Sequence, residues 1–467
     1  MNKYLFLFFL LIFASPNFAQ DSLKTLSSKQ VIKIVQQYHP VVKQANINIK
    51  KSEADLLISR GAFDPFVATS TGSKTFNGLD YYNYVSPNIT VPTWYGIEVF
   101  SGLESLSGNR LDPTETAGQT NYIGVSVPLL KDLVIDKRRS ALQQAKIFKL
   151  LAEAEQKSIV NNLIKDAMDA YWQWVRAYEV FGIIRNTVLV NEQRLNFVKK
   201  IVANGERPAI DTVEVLAQLQ SFQYELNNSL LAFQNAALQL SAYLWTPTNE
   251  PYFLRESIIP NPEWELESKG YQAYFSLPDL EDAAAKSHPD LLMYNLKLNT
   301  LDIEKKLKFQ ELLPKLDFNY NMLGKGYDVI KTTRNAPLFE NNYLYGFKFE
   351  MPLRISKGRG EYKNAKLKIE ETRLDLNQKA VEIKIKIRSY YNEILTLQKQ
   401  VALQKSNFNN YQRLVIAEQT RLENGESSLF LINTRETKAL EAYEKLIELK
   451  TKYLKTMVAL QWSAGFP

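Results

Sequence analysis

Cysteine is absent from the 467 residues, and histidine occurs twice, as His39 and His288. The first absence excludes disulfides, thiolate metal sites, cysteine nucleophiles and a lipidated N-terminal cysteine. The second leaves too few imidazoles for a multi-histidine metal site or for two independent His-based dyads. Past residue 20 no stretch reaches the roughly 18 uninterrupted apolar residues of a transmembrane helix. There is no Gly-x-Ser-x-Gly elbow, paired-His zinc motif or phosphate loop, so a secreted hydrolase lacks its convergent catalytic set. No enzyme activity, metal or cofactor is expected. Lys and Arg number 57 against 50 Asp and Glu, a net charge of +7. Over this length that is mild, and no basic run suggests a nucleic-acid groove.

What is present begins with an export signal. Met1-Asn2-Lys3 gives a positive start, Tyr4 to Phe13 is apolar, and Ala14 to Gln20 is a small and polar exit. This pattern predicts a signal peptide over 1–19, since the apolar run is about half of the ~20 residues an anchor requires. The composition beyond it, 45% hydrophobic and 23% charged overall, excludes a disordered chain.

The remainder is duplicated. His39-Pro40 precedes Pro65, and His288-Pro289 precedes Pro314, each landmark recurring 249 residues later. Further on, Arg139, Ala145-Lys146 and Asn204-Gly205-Glu206 recur 220 residues later as Arg359, Ala365-Lys366 and Asn424-Gly425-Glu426. Val127-Pro128-Leu129 likewise resembles Met351-Pro352-Leu353. The offset falls because 63 residues separate Pro65 from Pro128, against 38 between Pro314 and Pro352. A first repeat is therefore expected over 20–245 and a second over 279–467. The linker 246–278 holds five of the 18 prolines and is no continuous helix.

Each repeat reads as short helix, strands, very long helix, return helix. Residues 137–204 contain no proline and one glycine, Gly182, and residues 361–424 contain neither. At 1.5 Å rise per residue such helices run about 100 Å if continuous. Leu163, Ala167, Ala170, Trp174, Ala177, Phe181 and their successors to Val202 step alternately by four and three, with Asn191 the one polar position. Ile383 to Val415 repeats the step with Gln404 as its polar member, and Ile432, Arg435, Ala439 and Ala442 continue it in the second return helix. That spacing is a heptad seam for helix-on-helix packing. Asn-Gly-Glu ends both long helices, with Gly205 and Gly425 free to take the left-handed conformation past a helix end. The first return helix is placed at about 209–245.

Strands are predicted where the period drops to two. Leu316, Phe318, Tyr320 and Met322 alternate with polar residues, as do Tyr343, Tyr345, Phe347 and Phe349, and Ile123, Val125 and Val127. Alternation is weaker around Trp94–Gly102 and Phe66–Gly72. Two strands are expected from each half, four in all. The helical seams are already committed to one another, so the aromatic strand faces are assigned to lipid rather than to a soluble core. Four strands cannot close, and an open edge in hydrocarbon costs several kcal/mol per unpaired backbone group. Strands must therefore pair between copies of the chain. The competing expectation is a secreted coiled-coil scaffold or adhesin with a soluble β head.

These ordered landmarks resemble the TolC-like outer-membrane efflux proteins over essentially the whole mature chain. The resemblance implies a mainly α fold with a membrane β part, a homotrimer with a 12-stranded β-barrel in outer-membrane lipid, and a long α-helical barrel in the periplasm. It also implies partnership with a periplasmic adaptor and an inner-membrane pump, and an exit-duct function in efflux or type I secretion. In that family the helix tips after the glycines form an aperture lined by acids six and nine positions on. Asp211 and Glu214 occupy those places in the first half. Leu431 and Thr434 occupy them in the second, a departure from the acidic pattern, with Ser427 and Arg435 beside them. The two histidines read as boundaries that shape the short helices.

Overall fold

A computed structural model of the chain describes residues 24–109, 116–270, 276–335 and 338–466. The expected signal peptide over 1–19 lies outside the described residues. In chain order the elements are β1 (Lys24–Leu26), α1 (Ser28–Tyr38), α2 (Pro40–Gly61), β2 (Phe66–Phe76), β3 (Leu79–Pro92), β4 (Glu98–Ser107), β5 (Gly118–Pro128), α3 (Lys137–Ala203) and α4 (Ile210–Ser241). There follow β6 (Ile258–Pro260), a 3₁₀ turn (Trp264–Gly270), α5 (Leu277–Ser287), α6 (Pro289–Gln310), β7 (Lys315–Lys325), α7 (Val329–Asn335), β8 (Tyr343–Glu350), α8 (Ser356–Glu423) and α9 (Leu429–Ser463). The fold is mainly α with one sizeable sheet, and the order helix, helix, strands, long helix, return helix occurs twice.

Both histidines sit at helix breaks. His39 follows α1 with φ −64° and ψ 133°, and His288 follows α5 with φ −61° and ψ 126°. The following proline excludes the helical region for each and imposes the extended backbone that separates two helices. His288 also caps α6, its Nδ1 accepting from the Asp290 N–H at 3.1 Å. α1 opens with a capping box: Ser27 accepts from the Gln30 N–H, and the Gln30 side chain accepts from the Ser27 N–H at 2.8 Å.

The residues group into two compact units that interleave both sequence repeats. One unit comprises Met1–His39, Asp166–Tyr274 and Glu393–Val458. Its interior is aromatic and helical: Tyr171, Trp172 and Trp174 of α3 are fully buried, and Trp174 and Phe181 stack on Phe233 of α4. Many heptad positions of α3 bury, among them Ala167, Trp174, Ala177, Ile184 and Val188, and Met168, Tyr171, Trp172 and Val175 beside the seam bury with them. Gln404, the polar member in α8, donates to the Ala442 carbonyl of α9 at 2.9 Å. Glu179 of α3 accepts from the Trp264 indole and from the Tyr443 hydroxyl, each at 3.0 Å. One carboxylate thus ties the first repeat to the linker and to the second repeat. The linker also supplies β6, which pairs in parallel with β1.

The other unit comprises Pro40–Lys165, Phe275–Asn392 and Ala459–Pro467 and contains a six-stranded antiparallel sheet in the order β2-β3-β4-β5-β7-β8. This corrects the expected count of four strands. The first repeat supplies four, because the extra sequence between its prolines folds as the β3–β4 hairpin. β3 was hidden by Ser86-Pro87-Asn88, which reads as a turn. The strand runs through the proline because its ladder to β4 lapses there, resuming from Val85↔Ser105 at Asn88↔Gly102, so no donor is required at Pro87.

α8 also starts earlier than expected, at Ser356, and includes Gly358 and Gly360. Gly358 is required by a close approach: a Cβ there would lie 2.6 Å from the Glu311 carbonyl oxygen. Nearby, Lys131 and Glu311 pair at 2.7 Å across the ends of β5 and α6, and this contact lowers the Glu311 carboxyl below its ordinary value. Among the described residues no helix is long and apolar enough to cross a membrane.

Candidate functional site

The two long helices end alike. Gly205 and Gly425 both have φ +77°. The Glu206 N–H bonds back to the Ile201 carbonyl at 3.0 Å and the Gly205 N–H to Val202 at 3.0 Å. In the second repeat Glu426 bonds to Arg421 at 2.8 Å and Gly425 to Leu422 at 3.1 Å. Both are Schellman closures, which need a left-handed residue where each glycine stands. The chain then turns straight into α4 and α9.

The turn regions share one hydrophobic core. Val188, Leu195 and Val198 of α3 pack with Val215, Leu219 and Phe222 of α4 and with Leu429 of α9. Arg207 adds a polar tie by donating to the Leu422 carbonyl at the end of α8, at 3.4 Å. Residues from both repeats therefore meet at this end of the unit.

The six lining candidates have distinct surroundings. Asp211, in the first turn of α4, pairs with Arg207 at 3.2 Å, one turn earlier. Glu214 is half-buried and makes no hydrogen bond or ion pair among the described residues. Ser427 donates to the buried Glu418 carboxylate, so its hydroxyl is committed to the turn. Leu431 is exposed. Thr434 is exposed too, but its hydroxyl donates to the Phe430 carbonyl of its own helix at 2.8 Å. Arg435 has a buried Nε without a partner among the described residues. The acids of the first repeat thus differ: one is paired locally, and the other has no polar partner among the described residues.

Sequence reasoning missed the strongest polar contact here. Arg194 of α3 and Glu436 of α9 form a two-pronged ion pair, one prong at 2.6 Å, with side chains 7% and 10% exposed. Asn191, the polar break in the α3 seam, accepts from Arg194 at 3.2 Å and donates to Glu436 at 3.4 Å. That break was the available signal. About two turns further along α9, burial raises the Glu444 carboxyl above its ordinary 4.5, aided by the nearby Glu225 charge and opposed by Arg176. The charged form is disfavoured in the fold, so this group stabilises fully below its unfolded value and loses that contribution as pH rises through the folded value. Glu444→Gln is expected to raise the unfolding midpoint modestly at pH 7 and to leave it unchanged near pH 4, measured by thermal denaturation in detergent.

No curated protein matches the sequence of the chain. Its fold is shared, however, with solved outer membrane channels. The CmeC outer membrane channel of Campylobacter jejuni superposes with a TM-score of 0.62 at 15% identity, over 94% of this chain and 85% of that one. VceC of Vibrio cholerae gives 0.63 at 14% identity, over 94% and 96%. The open state of the Neisseria gonorrhoeae MtrE channel gives 0.62 at 11%, over 94% and 89%. A sequence model of the outer membrane efflux proteins matches residues 280–465.

That stretch of the chain is similar to the outer membrane efflux proteins. The chain as a whole has the TolC-like channel fold, a helical part with a β part, as the resemblance implied. Within the matched residues fall Gly425, Ser427, Leu431, Thr434 and Arg435, whereas Gly205, Asp211 and Glu214 precede them.

Proposed function

We propose that this protein is an outer-membrane export duct, working as a homotrimer in a tripartite efflux or type I secretion assembly. The β part sits in outer-membrane lipid and the helical part reaches into the periplasm. An inner-membrane pump supplies energy and selectivity, a periplasmic adaptor joins pump to duct, and the chain performs no chemistry of its own. Two structural repeats, over 20–245 and 279–467, are joined by the linker 246–278, and a signal peptide over 1–19 directs export.

The observation that carries this reading is the open sheet. β2 and β8 end it on either side, each with a single neighbour, and β8 presents Tyr345, Phe347 and Phe349 at 52%, 61% and 64% exposure. An aromatic strand with an unpaired edge suits lipid on its face and another copy at its edge. Among the described residues no further strand pairs with either edge.

Asp211 and Glu214 line the periplasmic aperture in this reading, with Ser427, Leu431, Thr434 and Arg435 across from them. Glu214 carries more of the field, because Arg207 compensates Asp211. The double variant Asp211→Asn/Glu214→Gln is expected to lose most of its cation preference in planar bilayers, with Glu214→Gln alone giving the larger share. Unchanged selectivity and gating in the double variant would remove both acids from the aperture.

A further inference from the structure

The resemblance implies a barrel of twelve strands, four from each copy. The sheet of this chain has six. We propose that three copies close a wall of eighteen strands, three times those six, with the β3–β4 hairpin as wall and not as plug or external loop. The proposal rests on the homotrimeric duct reading and adds its dimensions.

Pairing is the first support. A hairpin folded away from the wall would leave β2 and β5 to pair with each other. Instead β2 pairs with β3 from Phe66↔Thr90 onward, and β5 pairs with β4 from Glu98↔Ser126 to Leu106↔Gly118. The ladder has no free joint at which the hairpin swings out.

The faces agree with the pairing. Residues directly opposite one another in a ladder point to the same side of a sheet. One such row crosses all six strands as Val67, Ile89, Ser101, Ile123, Met322 and Tyr343. A neighbouring row on the same face runs Val91, Val99, Val125, Tyr320, Tyr345. The hairpin thus extends the apolar face of β5, β7 and β8 in register. A plug bathed in water has no use for such a face.

The opposite face locks the hairpin to both neighbours. A Cβ on Gly72 would lie 2.6 Å from the Tyr84 ring, one on Gly102 would lie 2.5 Å from Tyr122, and one on Gly124 would lie 2.6 Å from Phe100. Each ring therefore lies flat over the glycine opposite it, the arrangement by which aromatic side chains cover strand glycines. These pairs join β2 to β3 and β4 to β5, the two joints that a displaced hairpin would break.

The hairpin's turn is anchored at the rim where helices meet strands. Trp94 stacks on Phe63, between α2 and β2, at 4.2 Å. Arg139 near the start of α3 donates to the Tyr95 carbonyl at 3.3 Å, and Arg138 pairs with Glu98 at 2.7 Å.

Six is an even number, so β8 of one copy meets β2 of the next antiparallel, as closure of an antiparallel barrel demands. Barrel diameter grows roughly linearly with strand number, so the wall is about one and a half times as wide as with twelve strands, and barrels of 16–18 strands leave an aqueous channel.

Electron cryomicroscopy of the full chain in lipid nanodiscs counts the strands directly. Three copies and eighteen strands are expected. Three copies around twelve strands, with the hairpin elsewhere, would overturn the inference and leave the duct reading intact. A particle that is not trimeric would overturn the duct reading itself, and the inference with it. Independently, the cysteine-free chain allows a single fluorophore at Ile89→Cys. Quenching by nitroxide-labelled lipid is expected there, with little at Asn88→Cys on the other face. Quenching at position 89 by a water-soluble quencher alone would also overturn the proposal.

Discussion

Replacing Glu436 with glutamine is expected to destabilise the helical unit by about 3–5 kcal/mol, the usual cost of removing one partner from a buried ion pair. Arg194 is 7% exposed in its side chain, so its charge cannot turn to water when the carboxylate goes. Asn191 supplies only one neutral acceptor, which does not replace a two-pronged carboxylate. Hydrogen exchange should show the loss locally, as faster exchange of α3 amides around 188–198, the segment whose Val188, Leu195 and Val198 hold the shared core. The double replacement Arg194→Met/Glu436→Leu should recover most of the loss, because matched apolar groups carry no desolvation penalty. Unchanged exchange in the single variant would mean that the pair is not closed to water.

Phe347→Pro is expected to abolish the trimer while leaving the sheet of each copy folded. The Leu323 N–H bonds to the Asn342 carbonyl at 3.0 Å, which fixes the phase of the β7–β8 ladder. Hydrogen-bonded and non-bonded pairs alternate in an antiparallel ladder, so Leu344 and Gly346 bond to β7 while Tyr345 and Phe347 turn their backbone groups to the open edge. Proline at 347 removes an edge donor without touching the inner ladder, and edge strands tolerate proline. In the assembled wall the facing carbonyl of the next copy then lacks a partner in hydrocarbon, at several kcal/mol for each seam. Size-exclusion chromatography in detergent separates the outcomes: the proline variant should run as a monomer and Phe347→Ala as a trimer. A trimeric proline variant would show that β8 is not the seam.

The helical architecture was legible because it depends on simple repetition. The four-three step from Leu163 to Val202 needs no tertiary information, and Asn-Gly-Glu marks both helix ends through a backbone requirement that glycine alone meets cheaply. β7 and β8 were legible for the same reason, since their aromatic and polar positions alternate strictly. β3 was not, because Tyr81 and Tyr82 are adjacent, Tyr84 shares the polar face, and Pro87 interrupts the run. In β4 the outward positions include Ser101 and Ser105, which dilute the alternation. The polar contacts at the candidate site divide in the same way. Arg207 and Asp211 stand four residues apart and can be paired on a helix turn by inspection. Arg194 and Glu436 are 242 residues apart, and only the odd Asn191 in the seam hinted that something polar was buried there.

The most direct measurement is the mass of the purified mature chain in detergent, taken by native mass spectrometry together with its behaviour after detergent is withdrawn. Three chains per particle are expected, with precipitation or lipid uptake once detergent is gone, because the aromatic face of the sheet then has nothing to cover it. A folded, monodisperse single chain in plain buffer would contradict the claim that the wall is built from several copies, and the secreted scaffold with a soluble β head would take its place.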